Sequence, residues 1–276
     1  MNEKAMIEED HYENTNLRDE TSTIVAPENL VYQVPKTLKN VDFHYCPGCA
    51  HSVVHRLIAE VIEELDIQSE TIGVAPVGCA VFAYNYLDVD MTEAAHGRAS
   101  AVATGIKRVL PDKYVFSYQG DGDLAAIGTG ETIHTCNRGE NILIVFINNG
   151  IYGMTGGQMA PTTLEGMKST TSPMGRDVLT MGNPLKITEL VAELPGTYYV
   201  TRQAVFKPNL VRRTKKAIRK GFELQKDKKG TCFIEVVANC PSNWKMTPVE
   251  SNHWLEENMI PFYPLGDIKT PDGRAK

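Results

Sequence analysis

The chain has 276 residues, of which 42% are apolar and 22% charged, and its formal net charge is −6. This length and composition suit one large α/β domain with a sizeable core. Apolar runs such as Ile142–Ile147 are far too short to cross a bilayer, and beyond an acidic start the chain is close to neutral, so we expect neither a membrane nor a nucleic-acid partner.

Acidic residues are concentrated at the start of the chain. Residues 1–30 hold eight acidic side chains against Lys4 and Arg18, which accounts for the whole net charge. This polar start lacks the basic-then-apolar pattern of a secretory signal, so we expect a cytoplasmic protein. We predict that residues 1–40 form an acidic N-terminal extension and that residues 41–276 form the functional domain.

Helices and strands are predicted to alternate along the rest of the chain. Apolar residues recur at three- and four-residue steps from Ser52 to Leu65, which is typical of an amphipathic helix. Strands are predicted at 71–75, 114–118, 142–147, 197–201 and 231–238, and further helices at 99–110, 124–136, 184–194 and 209–225. This alternation predicts an α/β fold with a doubly wound, mostly parallel sheet.

Two stretches in the middle of the chain have distinct characters. Residues 142–147 show no alternation of polar and apolar side chains, which predicts a strand buried on both faces. Residues 150–183 are rich in Gly, Thr, Met and Pro, which predicts a long loop. Loops of that length are usually functional or mobile.

Two polar blocks follow predicted strands. Gly120-Asp121-Gly122-Asp123 comes after strand 114–118, and Asn148-Asn149 comes after strand 142–147. Glycine lets the backbone approach a phosphate closely, and the N-terminus of the following helix attracts an anion. Asp121, Asn149 and a main-chain carbonyl just after it offer the hard oxygen ligands that Mg²⁺ prefers. Together the blocks predict a site for a diphosphate and magnesium.

Four of the six cysteines lie beside predicted elements. Cys46-Pro47-Gly48-Cys49 precedes the first helix, Cys79 follows the first strand and Cys240 follows the last one. Cytoplasmic thiols stay reduced, which favours metal ligation over disulfides. Four thiolates suit one zinc ion or one 4Fe-4S cluster, and spacing alone leaves both open. The other two, Cys136 and Cys232, are predicted to be small core residues.

From Tyr45 to about Leu265 the chain resembles the beta subunit of 2-oxoacid:ferredoxin oxidoreductases. The two polar blocks look like the thiamine diphosphate motif of that enzyme superfamily. Further blocks that carry the likeness are Cys-Pro-Gly-Cys at 46–49, Val77-Gly78-Cys79, His96-Gly97-Arg98, the stretch 148–158 and Cys240-Pro241-Ser242-Asn243-Trp244. The resemblance therefore implies a thiamine diphosphate-binding fold.

The same resemblance implies roles for individual residues. Magnesium is expected on Asp121, Asn149 and the carbonyl of Ile151, with Gly120, Gly122 and Asp123 close to the diphosphate. Cys46, Cys49, Cys79 and Cys240 are expected to bind one 4Fe-4S cluster. Zinc is redox-silent, so it gives no reason to place thiolates beside a cofactor that releases electrons. His96 is a candidate for meeting the diphosphate or assisting proton transfer, and Met154 for a position near the thiazolium.

The activity implied by the resemblance is oxidative decarboxylation of a 2-oxoacid to acyl-coenzyme A and carbon dioxide, with electrons passed through the cluster to ferredoxin. In multi-subunit members a glutamate that activates the cofactor comes from the alpha subunit. We find no motif for it here, so we expect the chain to need an alpha subunit, together with gamma and ferredoxin-like subunits. Alone, it is expected to be inactive.

The sequence is compatible with more than one substrate and with two rival functions. Some members acting on 2-oxoglutarate carry a lysine three residues after the cysteine corresponding to Cys79, whereas Phe82 stands here, with Tyr84 and Tyr86 nearby. We therefore favour a branched-chain substrate such as 2-oxoisovalerate over 2-oxoglutarate or pyruvate. The rivals are a non-redox thiamine diphosphate enzyme with a structural zinc site and a non-catalytic, zinc-bound scaffold subunit.

Overall fold

The computed structural model describes residues 26–274, which belong to two units that divide after Val34. The described part of the first unit contains a short 3-10 helix, Pro27–Asn29. In the second unit, the hydroxyl of Thr37 donates to the carbonyl oxygen of Ala59 at 2.6 Å, and Leu38 forms a β-bridge with Leu87. Residues 1–25 lie outside the described residues, so the acidic extension over residues 1–40 stays a prediction.

Eight strands form one sheet, in the order β10-β9-β7-β8-β4-β3-β1-β2. Six neighbouring strands, β7 to β2 in that order, are parallel, whereas β9 and β10 are antiparallel additions at one edge. The strands of this sheet are β1 Thr71–Ala75, β2 Asp90–Glu93, β3 Tyr114–Gly120, β4 Leu143–Asn148, β7 Thr197–Ala204, β8 Thr231–Val237, β9 Gly266–Thr270 and β10 Gly273–Arg274; a separate antiparallel hairpin comprises β5 Ile151–Tyr152 and β6 Gln158–Met159.

Helices connect the strands and cover both faces of the sheet. The α-helices are α1 Ala50–Glu64, α2 Ala83–Tyr86, α3 Ala99–Val109, α4 Thr129–Arg138, α5 Val178–Met181, α6 Ile187–Ala192, α7 Pro208–Leu224, α8 Pro241–Trp244, α9 Pro248–Trp254 and α10 Ile260–Phe262. Two π-helical turns, Asp123–Ile127 and Leu255–Met259, and two 3-10 turns, Gln68–Glu70 and Gln225–Asp227, complete the second unit. No described helix is both long and apolar enough to cross a membrane.

Apolar side chains from β4 divide between two cores. Leu143, Val145 and Ile147 pack with α1 and α7, whereas Ile144 and Phe146 pack with α3, α4 and α6 on the other face. The prediction of a strand buried on both faces is confirmed, and so is the doubly wound, mostly parallel sheet. A third core, formed with the C-terminal helices, lies beyond the strand ends and includes Ile151 and Tyr263.

Two local predictions differ from the structure, and some strands were not predicted. The helix predicted at 124–136 begins as the π-helical turn Asp123–Ile127 and becomes α-helical only at Thr129. The predicted loop 150–183 contains the hairpin β5–β6 and the short helix α5. Strands β2 and β9 were not predicted, because their side chains are mostly exposed or half-buried and give no apolar pattern.

Candidate functional site

The predicted site residues follow four strands that lie side by side in the sheet. Strands β1, β3, β4 and β8 are mutually parallel, so their carboxyl ends meet at one edge. Cys79 follows β1, Asp121 follows β3, Asn149 follows β4 and Cys240 follows β8. Ligands of open α/β sheets bind beyond this edge. The fold therefore gathers residues that are distant in sequence.

A cavity with an empty volume of about 650 Å³ opens at this edge. The residues that line it include the predicted site residues Cys79, His96, Gly120, Asp121, Gly122, Asp123, Asn149, Ile151 and Met154. A Cβ atom added to Gly120 would meet nothing within 4 Å, so open space adjoins the backbone there. The cavity can therefore admit a group that contacts this backbone closely.

Asp121 is buried and its carboxylate is held by hydrogen bonds. Oδ1 accepts from the main-chain N–H of Gly122 at 2.8 Å, and Oδ2 accepts from the N–H of Ile151 at 3.1 Å and from the hydroxyl of Thr162 at 2.9 Å. Burial raises the pKa of Asp121 to about 6, although these donors oppose the rise. Thr162 was missed by the sequence reasoning, because it lies in the long loop with no periodic pattern around it.

The turn after β4 presents Asn149 next to Asp121. The amide oxygen of Asn149 accepts from the N–H of Ile151 at 3.3 Å, the same group that donates to Asp121. Asn148 points the other way, and its Nδ2 donates to Oε1 of the buried Glu235 at 2.7 Å. Asn149 therefore belongs to the cavity, whereas Asn148 fastens the turn to the sheet.

The carboxylate of Asp123, which also lines the cavity, accepts several hydrogen bonds from the protein. Its Oδ1 accepts from Nδ1 of His96 and from the N–H of Gly97, both at 2.8 Å, and from the N–H of Val77 at 3.3 Å, while Oδ2 accepts from Nε2 of Gln119 at 2.6 Å. Four protein donors thus satisfy this buried carboxylate. It joins the loops after β1, β2 and β3 and holds His96 at the cavity wall.

The four predicted ligand cysteines lie near one another. Burial raises the pKa of the Cys49 thiol to about 12, and Cys240 and Cys46 add to the rise. Burial also raises the pKa of the Cys79 thiol to about 12, with further contributions from Cys240, Cys49 and Cys46. Within residues 26–274, no group of three or more His, Cys, Asp or Glu side chains is arranged to hold a single metal ion.

Gly153 lies beside two of the cysteines at the cavity wall. It lines the cavity, and a Cβ atom added there would lie 2.9 Å from Sγ of Cys79 and 3.6 Å from Sγ of Cys240. Any larger residue would therefore collide with Cys79, which itself lines the cavity. The remaining two cysteines, Cys136 and Cys232, were predicted to be core residues, and both are fully buried.

The aromatic residues considered for substrate choice do not line this cavity. Tyr86 is buried, and its ring packs edge-on against Phe43 with ring centroids 4.7 Å apart. Phe82 is 37% exposed and packs edge-on against His44. Met154, by contrast, lies at the cavity wall and is 52% exposed.

Comparison with known proteins identifies the class of site. Residues 76–236 match the family described as "Thiamine pyrophosphate enzyme, C-terminal TPP binding domain", in which thiamine pyrophosphate is another name for thiamine diphosphate. Over 226 residues the chain is 46% identical to ketoisovalerate oxidoreductase subunit VorA of Methanothermobacter thermautotrophicus, a match covering 82% of this chain and 47% of that relative. The chain therefore spans about half the length of this relative.

Two further relatives are matched over more of their length. The chain is 41% identical over 239 residues to 2-oxoglutarate synthase subunit KorB of Methanocaldococcus jannaschii, covering 84% of both. A solved 2-oxoglutarate:ferredoxin oxidoreductase from Magnetococcus marinus, with 2-oxoglutarate, coenzyme A and succinyl-CoA bound, superposes with a TM-score of 0.68 at 26% identity, covering 80% of this chain and 71% of that one. The chain belongs to the beta-subunit family of 2-oxoacid:ferredoxin oxidoreductases and carries a thiamine pyrophosphate-binding domain.

Proposed function

We propose that the chain is the catalytic beta subunit of an enzyme that oxidatively decarboxylates a branched-chain 2-oxoacid, such as 2-oxoisovalerate. The products are acyl-coenzyme A and carbon dioxide, and the electrons pass through a 4Fe-4S cluster to ferredoxin. One observation carries the proposal: Cys79, a proposed cluster ligand, lines the same cavity as Asp121 and Asn149, the proposed magnesium ligands.

The cofactor fits the donors at the cavity wall. Asp121, Asn149 and the carbonyl of Ile151 offer three oxygens, and Mg²⁺ usually completes its octahedron with phosphate and water. Gly120 allows the diphosphate to approach the backbone, and the N-terminus of the helical turn that follows attracts an anion. Magnesium beside Asp121 would also offset the cost of burying that carboxylate. Bound thiamine diphosphate supplies the decarboxylation chemistry.

The cysteines support a cluster next to the cofactor. Burial and the neighbouring thiols raise the pKa of Cys49 and Cys79, and a bound cation would relieve this by stabilising the thiolates. The two groups differ in how far apart they hold their four thiolates. A four-iron cubane fills the space between its ligands, whereas zinc draws all four thiolates to about 2.3 Å from one centre. Zinc takes no electrons, but a cluster beside Cys79 would accept those released in the cavity. These arguments favour 4Fe-4S over zinc.

The character of the cavity favours an apolar substrate tail. Among the described residues that line it, Val77, Ala80, Ile151 and Met154 are apolar, and none is Lys or Arg. The distal carboxylate of 2-oxoglutarate would therefore find no cation among the described residues that line the cavity. VorA, named for ketoisovalerate, is consistent with this choice, whereas KorB and the solved neighbour favour 2-oxoglutarate as the alternative.

The same cavity indicates why partner subunits are needed. No Glu occurs among the described residues that line it, so the glutamate that activates the cofactor is assigned to an alpha subunit. Gamma and ferredoxin-like subunits complete the proposed assembly. Coenzyme A, which is bound in the solved neighbour, is the proposed acyl acceptor.

Paired cysteine variants test the proposal in the complex purified without air. The wild-type complex should be brown, and this chain should account for about four of its irons and four of its sulfides. Cys79→Ala should lose the cluster, whereas Cys136→Ala, the same change at a buried cysteine far from the proposed cluster, should keep it. Equal iron in both variants would contradict the ligand assignment, and stoichiometric zinc without iron would favour the non-redox alternative.

Activity then tests the substrate. The wild-type complex should reduce ferredoxin with coenzyme A and a 2-oxoacid, with a higher kcat/KM for 2-oxoisovalerate than for 2-oxoglutarate or pyruvate. The reverse order would replace the branched-chain assignment while leaving the enzyme class intact.

A further inference from the structure

A half-buried amide connects a proposed cluster ligand to the cavity wall. Nδ2 of Asn243, in α8, donates to Sγ of Cys240 at 3.3 Å and to the carbonyl oxygen of Gly153 at 2.9 Å. One side-chain amide thus joins a proposed ligand sulfur to the loop at the cavity wall.

The orientation of this amide follows from its neighbours. The carbonyl of Gly153 can only accept a hydrogen bond, so the amide nitrogen and not the amide oxygen must face it. The other end of the amide is confined too, because a Cβ atom added to Gly157 would lie 3.0 Å from Oδ1 of Asn243. The side chain is therefore held between two glycines of the loop that contains Met154.

The loop and the sulfurs are in close contact at this point. Gly153 adjoins both Cys79 and Cys240, and Asn243 fastens its carbonyl to the second of these. A displacement of the loop would therefore alter the hydrogen bond to the sulfur, and a change at the sulfur would act on the cavity wall. Among the described residues, Asn243 is the one whose side chain donates hydrogen bonds to both the Gly153 carbonyl and the Cys240 sulfur.

We propose that Asn243 is a positioning residue that sets the reduction potential of the cluster, an inference that rests on the proposed function. A reduced cluster carries one more negative charge, which is shared by its thiolate sulfurs. N–H donors stabilise that charge, so hydrogen bonds to sulfur favour the reduced state. By donating its side-chain N–H to Cys240, Asn243 makes the cluster a better acceptor for electrons released in the cavity.

Two substitutions at this position and one control test the inference. Asn243→Asp keeps the shape, removes the side-chain donor and adds a negative charge, whereas Asn243→Leu removes the donor without a charge. Asn258→Asp is the matched control, since Asn258 is exposed and its Nδ2 donates only to the carbonyl of Trp254 at 2.9 Å. The complex is titrated with redox mediators without air, and the cluster is followed by electron paramagnetic resonance.

The variants should differ in the midpoint potential. We expect Asn243→Asp to weaken the preference for the reduced state at least tenfold, a shift of about 59 mV to more negative potential for a one-electron couple. Asn243→Leu should shift in the same direction by less, and it provides the measurement if the charged variant fails to assemble a cluster. Asn258→Asp should match the wild type.

The outcomes separate this inference from the proposed function. A wild-type complex without a cluster would overturn both. A wild-type cluster whose potential stays the same in every Asn243 variant with a cluster would overturn only the role of Asn243.

Discussion

At the scale of single residues, the cavity depends on Asp121. Its carboxylate lies between main-chain donors and the hydroxyl of Thr162, and of the three protein ligands proposed for magnesium it is the charged one. Asp121→Ala should therefore abolish magnesium-dependent binding of thiamine diphosphate, as measured by calorimetry, while the iron content stays that of the wild type. Unchanged affinity for the cofactor would contradict the assignment.

Thr162 is predicted to act through Asp121. Thr162→Val removes the hydroxyl that orients the carboxylate, and such changes behind a metal ligand typically weaken binding by about 10- to 100-fold. Thr180→Val is a matched control, because Thr180 donates to Asp177 at 3.0 Å on an exposed surface. The same calorimetric titration should show lower affinity only in the Thr162 variant; equal affinities in both would show that Asp121 needs no such support.

The sequence predicts where the proposed magnesium ligands lie better than it predicts the residues that hold the site's carboxylates in place. Asp121 and Asn149 stand at the ends of apolar strands, so their position follows from the strand pattern alone. Thr162 and the four donors around Asp123 come from loops whose conformation no periodic pattern describes. Their hydrogen bonds to Asp121 and Asp123 depend on the three-dimensional arrangement of these loops at the edge of the sheet.

At the scale of elements, helix α1, which directly follows Cys49 in the chain, carries two buried histidines, His51 and His55. His55 accepts or donates a hydrogen bond with the hydroxyl of Tyr45 at 2.6 Å, and its Nδ1 is buried without a hydrogen-bond partner. Burial lowers the pKa of His55 well below 6.5, and burial lowers the pKa of His51 to about 4. Both rings are therefore neutral in the folded protein at pH 7.

The neutral state of His55 predicts acid sensitivity. Its folded pKa is depressed, so the unfolded chain binds more protons below pH 6.5, and stability is lost as the pH falls. From pH 7 to pH 5 this amounts to at most about 2 kcal/mol for one histidine. His55→Gln should therefore show a smaller loss of unfolding free energy over that interval, measured by denaturant titration. A loss as large as that of the wild type would exclude His55 as the cause.

Elements were predictable where burial gives a pattern. The central strands β3, β4 and β8 are apolar and were predicted nearly to their ends. The edge strands β2 and β9 have polar, mostly exposed or half-buried side chains, and their pairing depends on neighbours that the sequence does not reveal. The π-helical start of the segment after Asp121 was likewise hidden, because its residues suit an α-helix equally well.

At the scale of the whole molecule, a buried ion pair joins the sheet to the cavity. Nε of Arg202, on β7, donates to Oε2 of Glu235, on β8, at 2.6 Å, and both side chains are almost fully buried. Glu235 also accepts from Asn148, which fastens the turn that presents Asn149. Nη2 of the same guanidinium donates to Oε2 of Glu189, on α6, at 2.7 Å.

Removing one partner should be costly. Arg202→Met leaves Glu235 buried without its cation, which typically destabilises a protein by about 3 to 5 kcal/mol. Lys207→Met, which breaks the exposed pair with Glu256, should cost no more than about 1 kcal/mol. Denaturant unfolding of both variants measures the difference. Similar stabilities would show that the buried pair contributes no more than a surface one.

The central claim is that electrons released in the cavity reach a cluster bound by Cys79 and its three companions. It is tested most directly by mixing the complex, purified without air and supplied with thiamine diphosphate and Mg²⁺, with 2-oxoisovalerate and freezing it for electron paramagnetic resonance. We predict the signal of a reduced 4Fe-4S cluster in the wild type and none in Asp121→Ala, which keeps its iron. An iron-loaded wild-type complex that stays silent with every 2-oxoacid would contradict the account.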